Sequence, residues 1–203
     1  MPPRFFLTGT DTDVGKTVAA AALCAAGGHA YWKPVQAGLD GPTDTEVVQA
    51  LAPDVPTWPE AWRLRRAASP HAAAADEGLR IDPRTLTLPP ADRLLVEGAG
   101  GWMVPLAEGP VWQADLARHL GLPVVVVART ALGTLNHTFL TLRAVRDDGL
   151  EVAGLVLVGP DHPENVRDLH RWGAPVLARL PRVSLPDDFP RLVAEVARSR
   201  TAR

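Results

Sequence analysis

Three features of the sequence predict an α/β fold whose mostly parallel sheet is covered by helices on both faces. Short continuous apolar runs such as Val124-Val125-Val126-Val127-Ala128 lack polar alternation and read as strands buried on both sides. From residue 93 onward such runs alternate with helix-length segments, the rhythm of βα units. The chain also opens with a strand, a glycine-containing turn and an alanine-rich helix.

Taken in order, Arg4 to Thr8 is the first strand, and Val14 to Gly27 is the first helix, stopped by Gly27-Gly28. Ala30 to Val35 is a short extended piece broken by Pro34, and Thr43 to Leu51 is a helix opened by Thr43 or Asp44. The stretch from about 52 to 90 carries prolines at 53, 56, 59, 70, 83, 89 and 90 and no lasting periodicity, so it reads as an irregular excursion. Strands are then expected at Arg93–Glu97, Val124–Ala128 and Val152–Val158, with helices at Val111–Leu120, Thr134–Arg146 and Glu164–Trp172. Pro175–Ala178 adds an edge strand and Phe189–Arg198 a closing helix, giving one domain over residues 1–203 with no internal repeat.

Composition narrows the class. The 203 residues carry a formal net charge of -2, with 46% hydrophobic and 22% charged residues, the balance of an ordinary soluble domain. A single cysteine, Cys24, excludes an intramolecular disulfide and a thiolate zinc site, in keeping with a cytoplasmic location. No apolar run approaches the roughly 20 residues of a membrane span, and the Met-Pro-Pro-Arg start lacks a signal-peptide core. Neither membrane nor nucleic acid is an expected partner, since Arg63/Arg65/Arg66 and the tail from Arg198 do not make a basic stripe.

Of the 21 basic residues only two are lysines, Lys16 and Lys33, in a chain with 20 prolines and one isoleucine, Ile81. The bias resembles a GC-rich coding background in which arginine replaces lysine wherever it serves. Arginine cannot reproduce a compact ammonium on a flexible stem, so the two surviving lysines mark positions of point-charge phosphate binding or proton chemistry.

Lys16 lies in Gly9-Thr10-Asp11-Thr12-Asp13-Val14-Gly15-Lys16-Thr17, between the first strand and the first helix. That is the context of a P-loop: backbone N–H groups and a helix N-terminus face a phosphate, the lysine reaches the outer phosphates, and the threonine hydroxyl ligates Mg²⁺. The strict pattern is missed by one place, because Gly9 stands six residues before Gly15 and Thr10 occupies the usual glycine position. Mg²⁺ wants further oxygen ligands. Glu97 ends a buried strand and runs into Gly98-Ala99-Gly100-Gly101, at the sheet edge where open α/β folds bind ligands, and Asp44 opens a helix. Thr17, Asp44 and Glu97 are therefore the candidate metal ligands. For Asp44, a plain helix-capping role is the competing reading.

Four pieces then read together: the loop from Gly9 to Thr17, Lys33-Pro34-Val35-Gln36-Ala37-Gly38, Glu97-Gly-Ala-Gly-Gly-Trp102 with Pro105-Leu106, and Leu132-Gly133-Thr134-Leu135-Asn136-His137. In order and spacing, from about Arg4 to Pro181, they resemble the dethiobiotin synthetase family. The resemblance implies an ATP-dependent cyclo-ligase: the diamine 7,8-diaminononanoate takes up CO₂ as a carbamate, ATP phosphorylates it, and the second amine closes a ureido ring. It implies Lys33, Lys16 and Thr12 as catalytic residues and Asp13, Val14, Gly15, Lys16, Thr17, Val18, Asp44, Glu97, Gly98, Ala99, Gly100, Val158, Gly159 and Pro181 around the nucleotide. It further implies a homodimer in which Lys33 and Ala37, with Gly133, Thr134, Leu135 and Asn136 of the neighbouring subunit, bind the substrate.

Two positions depart from the family. Ala37 stands where serine or threonine is frequent, which removes a hydroxyl contact, and Val158 stands where an asparagine often reads the base. Two other readings belong to different classes. A regulatory or partitioning P-loop ATPase typically carries a signature lysine at the place held by Asp11, and an amidating ligase of the cobyrinate type needs a nucleophilic cysteine, whereas Cys24 lies within a helix-forming alanine run.

Overall fold

The computed structural model describes residues 1–182 and 188–201; the last two residues of the arginine-rich tail lie outside them. Its centre is a seven-stranded sheet. The strands and helices, in chain order, are β1 (Arg4–Gly9), α1 (Lys16–Gly27), β2 (Ala30–Trp32), β3 (Val35–Ala37), α2 (Asp44–Leu51), β4 (Thr57–Trp58), β5 (Trp62–Leu64), α3 (Pro70–Asp76), β6 (Leu94–Gly101), β7 (Pro105–Ala107), β8 (Val111–Trp112), α4 (Gln113–Leu120), β9 (Val124–Arg129), α5 (Thr134–Asp147), β10 (Val152–Val158), α6 (Pro163–Arg171), β11 (Val176–Leu180) and α7 (Phe189–Thr201). A 3-10 turn spans Pro83–Thr85.

The sheet order is β11-β10-β9-β1-β6-β2-β4, and every neighbouring pair runs parallel. Alternation along each strand divides the core into two layers. Phe6, Leu94, Val96, Val124 and Val126 face α4, α5 and α6, while Phe5, Leu7, Leu95, Val125 and Val127 face α1 and α7. The continuous apolar runs are thus strands covered on both faces.

Between β6 and β9 the chain passes from one side of β1 to the other. The strand ends around β1 therefore form the crevice of an open parallel sheet, the place where such folds bind ligands.

The excursion from about 52 to 90 is more ordered than its sequence suggests. β4 extends the main sheet beside β2, β5 pairs with β3, and α3 follows. Strands of two or three residues are too short to show alternation, and Pro56 and Pro59 around β4 are tolerated because that strand is an edge. The backbone carbonyl of Pro56 accepts from Tyr31 N at 2.8 Å, and that of Pro59 accepts from the Trp32 indole at 3.1 Å. Further along, Val111-Trp112 pairs antiparallel with β7, so the expected helix begins two residues later, at Gln113. The expected edge strand runs on to Leu180 and does form one end of the sheet.

Gly154 is required by packing. A Cβ there would lie 1.9 Å from Leu177 Cδ1 and 2.1 Å from its Cγ, so the β10–β11 contact leaves no room for a methyl group. Gly154→Ala is expected to destabilise the fold by about 1–3 kcal/mol, the usual cost of overpacking. Thermal unfolding would register it as a lower midpoint, and pairing the change with Leu177→Ala should return part of the loss.

Candidate active site

The loop after β1 bends where a phosphate loop must. Asp13 has φ 55° and Gly15 has φ 91°, both left-handed, and Gly15 is the N-cap of α1. At Gly9 a Cβ would meet Asp11 O at 2.7 Å, so the glycine displaced from the strict pattern still serves a close backbone approach. The loop turns the first residue of α1, Lys16, inward; it is 7% exposed, with its Nζ 3.4 Å from the Asp11 carbonyl.

Opposite the loop, three elements converge. Lys33 follows β2, Glu97 lies in the adjacent β6, and Asp44 opens α2. Lys33 Nζ lies 2.5 Å from Asp44 Oδ2 and 3.3 Å from Glu97 Oε1. The Thr17 hydroxyl hydrogen-bonds Asp44 Oδ1 and stands 3.2 Å from Glu97 Oε1. Thr43, rather than Asp44, is the N-cap of α2: its hydroxyl accepts from Glu46 N, and the Glu46 carboxylate accepts from Thr43 N. Because Thr43 caps the helix, the Asp44 carboxylate is left for the site. The Gln36 side chain steadies the turn by accepting from Asp44 N at 3.3 Å.

The electrostatics follow from this packing. Burial opposes the charge on Lys33, but the Glu97 and Asp44 carboxylates outweigh it and hold the ammonium above its ordinary value. Burial opposes the charge on Asp44 as well, yet Lys33, aided by the Thr17 hydrogen bond, holds that carboxyl below its usual range. At Lys16 burial prevails, and the ammonium titrates below its ordinary value despite Glu97. The result is one cationic lysine clamped between carboxylates and a second, less strongly paired lysine above the loop.

These groups line a cleft of about 1210 Å³. It brings together Thr12, Asp13, Val14, Gly15, Lys16, Thr17 and Val18 from the loop and α1, Lys33, Ala37, Asp44 and Glu97 across from them, and Ala99, Gly100, Val158, Gly159 and Pro181 at its rim. Gly98 does not line it, and a Cβ there would lie 2.8 Å from the Phe6 ring, so that glycine is required by packing. Gly133, Thr134, Leu135 and Asn136 do not line the cleft of their own chain either. The Thr134 hydroxyl is turned back onto the Arg129 carbonyl at 2.5 Å, while Asn136 is exposed and Leu132 is 97% exposed. Among the described residues no group of three or more His, Cys, Asp or Glu side chains gathers at one point; the oxygen cluster is two carboxylates and a hydroxyl.

Sequence reasoning passed over several residues. Tyr31 donates to Glu97 Oε2 at 3.0 Å from beneath the site, and its spacing of two from Lys33 was the available signal, since alternate residues of a strand share a face. Arg129, at the end of β9, pairs with Asp11 at 2.7 Å beside the loop. Ala67, Ala68, Ser69 and Pro70 give the cleft a wall from the proline-rich excursion, which local sequence could not announce.

Comparison with known proteins places the chain in a family. Residues 3–187 match the family model described as "AAA domain". The chain is 47% identical over 201 residues to an ATP-dependent dethiobiotin synthetase of Rhizorhabdus wittichii, covering 97% of this chain and 95% of that one. To the enzyme of that name in Rhodopseudomonas palustris it is 46% identical over 187 residues, covering 90% and 89%. In shape it is similar to a ParA family ATPase from Chlorobium tepidum, with TM-score 0.58 at 13% identity over 99% of this chain and 93% of that one. A second likeness is to the MinC:MinD cell division complex of Aquifex aeolicus, with TM-score 0.51 at 12% identity over 98% and 96%. Those two likenesses concern the fold alone and do not favour a regulatory ATPase over the sequence relatives. With near-half identity to these synthetases over nine tenths or more of its length, the chain belongs to the ATP-dependent dethiobiotin synthetase family.

Proposed function

We propose that the chain carries out, in the cytoplasm, the ATP-dependent conversion of 7,8-diaminononanoate and CO₂ to dethiobiotin, releasing ADP and phosphate. The observation that carries this reading is the single network of Lys33, Asp44, Thr17 and Glu97 facing a phosphate loop, in a chain that keeps only two lysines.

In the first step one amine of the substrate adds to CO₂ and loses a proton, giving a carbamate. The carbamate oxygen then attacks the γ-phosphorus of ATP, and the bond to ADP breaks. Finally the second amine attacks the carbamic-phosphoric carbonyl and loses a proton, phosphate leaves, and the ring closes. Lys16 would meet the γ-phosphoryl oxygens, and Lys33 would pair with carbamate and phosphate oxygens as charge builds there. Thr12, at the mouth of the loop, would touch the reacting groups. Thr17, Asp44 and Glu97 offer the hard oxygen donors that Mg²⁺ prefers, and we assign Mg²⁺ to them. When bound, Mg²⁺ neutralises phosphate charge and eases attack by an anion.

The turn from Gly133 to Asn136, which does not line its own cleft, suits service to a second subunit in a homodimer. In the first turn of α5, Thr134 N donates to the Ala131 carbonyl at 3.1 Å and His137 N to the Gly133 carbonyl at 3.2 Å, which leaves the N–H groups of Leu135 and Asn136 as the seat for the substrate carboxylate. The long apolar chain of the substrate would then lie along the subunit boundary.

Lys33→Arg is expected to lower kcat by about 100-fold, the scale of losing one well-placed electrostatic stabiliser. ATP binding should persist, because the larger guanidinium fork disturbs the carbamate side and not the loop. Phosphate release dependent on both the diamine and bicarbonate measures the first effect, and direct titration with nucleotide the second.

Val158 has no amide with which to read a base, and it packs on the loop, its Cγ1 3.0 Å from where a Gly15 Cβ would stand. Backbone groups near Gly159 are left to meet the base, so discrimination should be weak. Competition of CTP, GTP and UTP against ATP is expected to give preferences well below ~100-fold, the scale of a dedicated polar contact.

A further inference from the structure

We infer that Tyr31 is a positioning residue for Glu97: its hydroxyl fixes the carboxylate so that Oε1 is presented to Thr17 and Lys33. The inference rests on the reading of Glu97 as a Mg²⁺ ligand.

The last torsion of a glutamate is soft, so a carboxylate that must face one way needs holding at both oxygens. Glu97 is held in that manner. Oε1 lies 3.2 Å from the Thr17 hydroxyl and 3.3 Å from Lys33 Nζ, and Oε2 accepts from the Tyr31 hydroxyl at 3.0 Å. Among the described residues Tyr31 makes the only hydrogen bond to Oε2. The partners of Oε1 also engage Asp44, and Lys33 is assigned to carbamate and phosphate and Thr17 to Mg²⁺, so their hold changes during reaction. Tyr31 does not. It is fully buried, stands outside the cleft lining and packs in the α1-side core, where a phenylalanine ring would fill the same space. Packing alone therefore does not call for its hydroxyl.

Register makes the contact possible. Tyr31 pairs with Leu95 across the β2–β6 boundary, two residues before Glu97, and Tyr31 in β2 and Lys33 just after it reach the two oxygens of the same carboxylate.

The test compares the affinity of wild type, Tyr31→Phe and Glu97→Gln for AMPPNP, once with saturating Mg²⁺ and once in EDTA. Wild type should bind more tightly with Mg²⁺. Tyr31→Phe should lose about 10-fold of that gain, the lower end of the ~10–100-fold typical when a partner behind a metal ligand is removed. Its affinity in EDTA should equal wild type, which a general loosening of the fold would not leave intact. A gain within threefold of wild type overturns the inference. If Glu97→Gln loses the gain while Tyr31→Phe keeps it, only the role of Tyr31 falls. If Glu97→Gln keeps it, the metal reading falls and the inference with it. Should Tyr31→Phe not fold, the chain's single tyrosine offers a second measurement. Wild-type protein grown with 3-fluorotyrosine gives one ¹⁹F resonance, expected to shift when Mg²⁺ joins the AMPPNP complex; an unmoved resonance overturns the inference.

Discussion

The buried ammonium of Lys33 between the Asp44 and Glu97 carboxylates is the interaction on which the rest of the site depends. Lys33 is 5% exposed and Glu97 is 1% exposed, so neither charge is hydrated enough to stand alone. Leaving one such charge without its partner typically costs about 3–5 kcal/mol. Three elements must therefore arrive together: β6 with Glu97, β2 with Lys33 and α2 with Asp44. The capping box at Thr43 serves the same end, since it ends the competition for Asp44 between helix start and active site.

The sheet supplies the second constraint. β1 lies between β6 and β9, and its carboxyl end delivers the phosphate loop to the side where Glu97 emerges from β6. Parallel pairing puts all those strand ends on one edge, so residues far apart in sequence share a cleft without any long loop crossing the core. The close approach of Gly9 and the left-handed Gly15 then let the backbone fold around a phosphate. Both the charged network and the loop thus rest on rigid neighbours, as precise placement of reacting groups requires.

The proline-rich excursion shows how an apparently irregular segment acquires a role. Its two short strands bind to the edge of β2 and to β3, the segments on either side of Lys33, and the chain that follows walls the cleft with Ala67 to Pro70. Lys33 is therefore braced from both sides of its strand end. The turn at the start of α5 is the opposite case, since Gly133 to Asn136 do not line the cleft of their own chain.

Much was legible in the sequence because the signals are local. Apolar runs without alternation mark doubly covered strands, glycines bracket a loop before a helix, and an arginine-dominated chain exposes its two lysines. The motif pieces around Lys16, Lys33 and Glu97 carried the family. What the tertiary structure alone decided are relations across the sheet. It set the partners of Lys33, the release of Asp44 from capping, the assignment of Gly98 to packing against Phe6, the order within the excursion and the contact of Tyr31 with Glu97. Each of these depends on strand register and burial, and a side chain's partner across a parallel sheet is set by which strands lie side by side, a property that no stretch of a single strand contains.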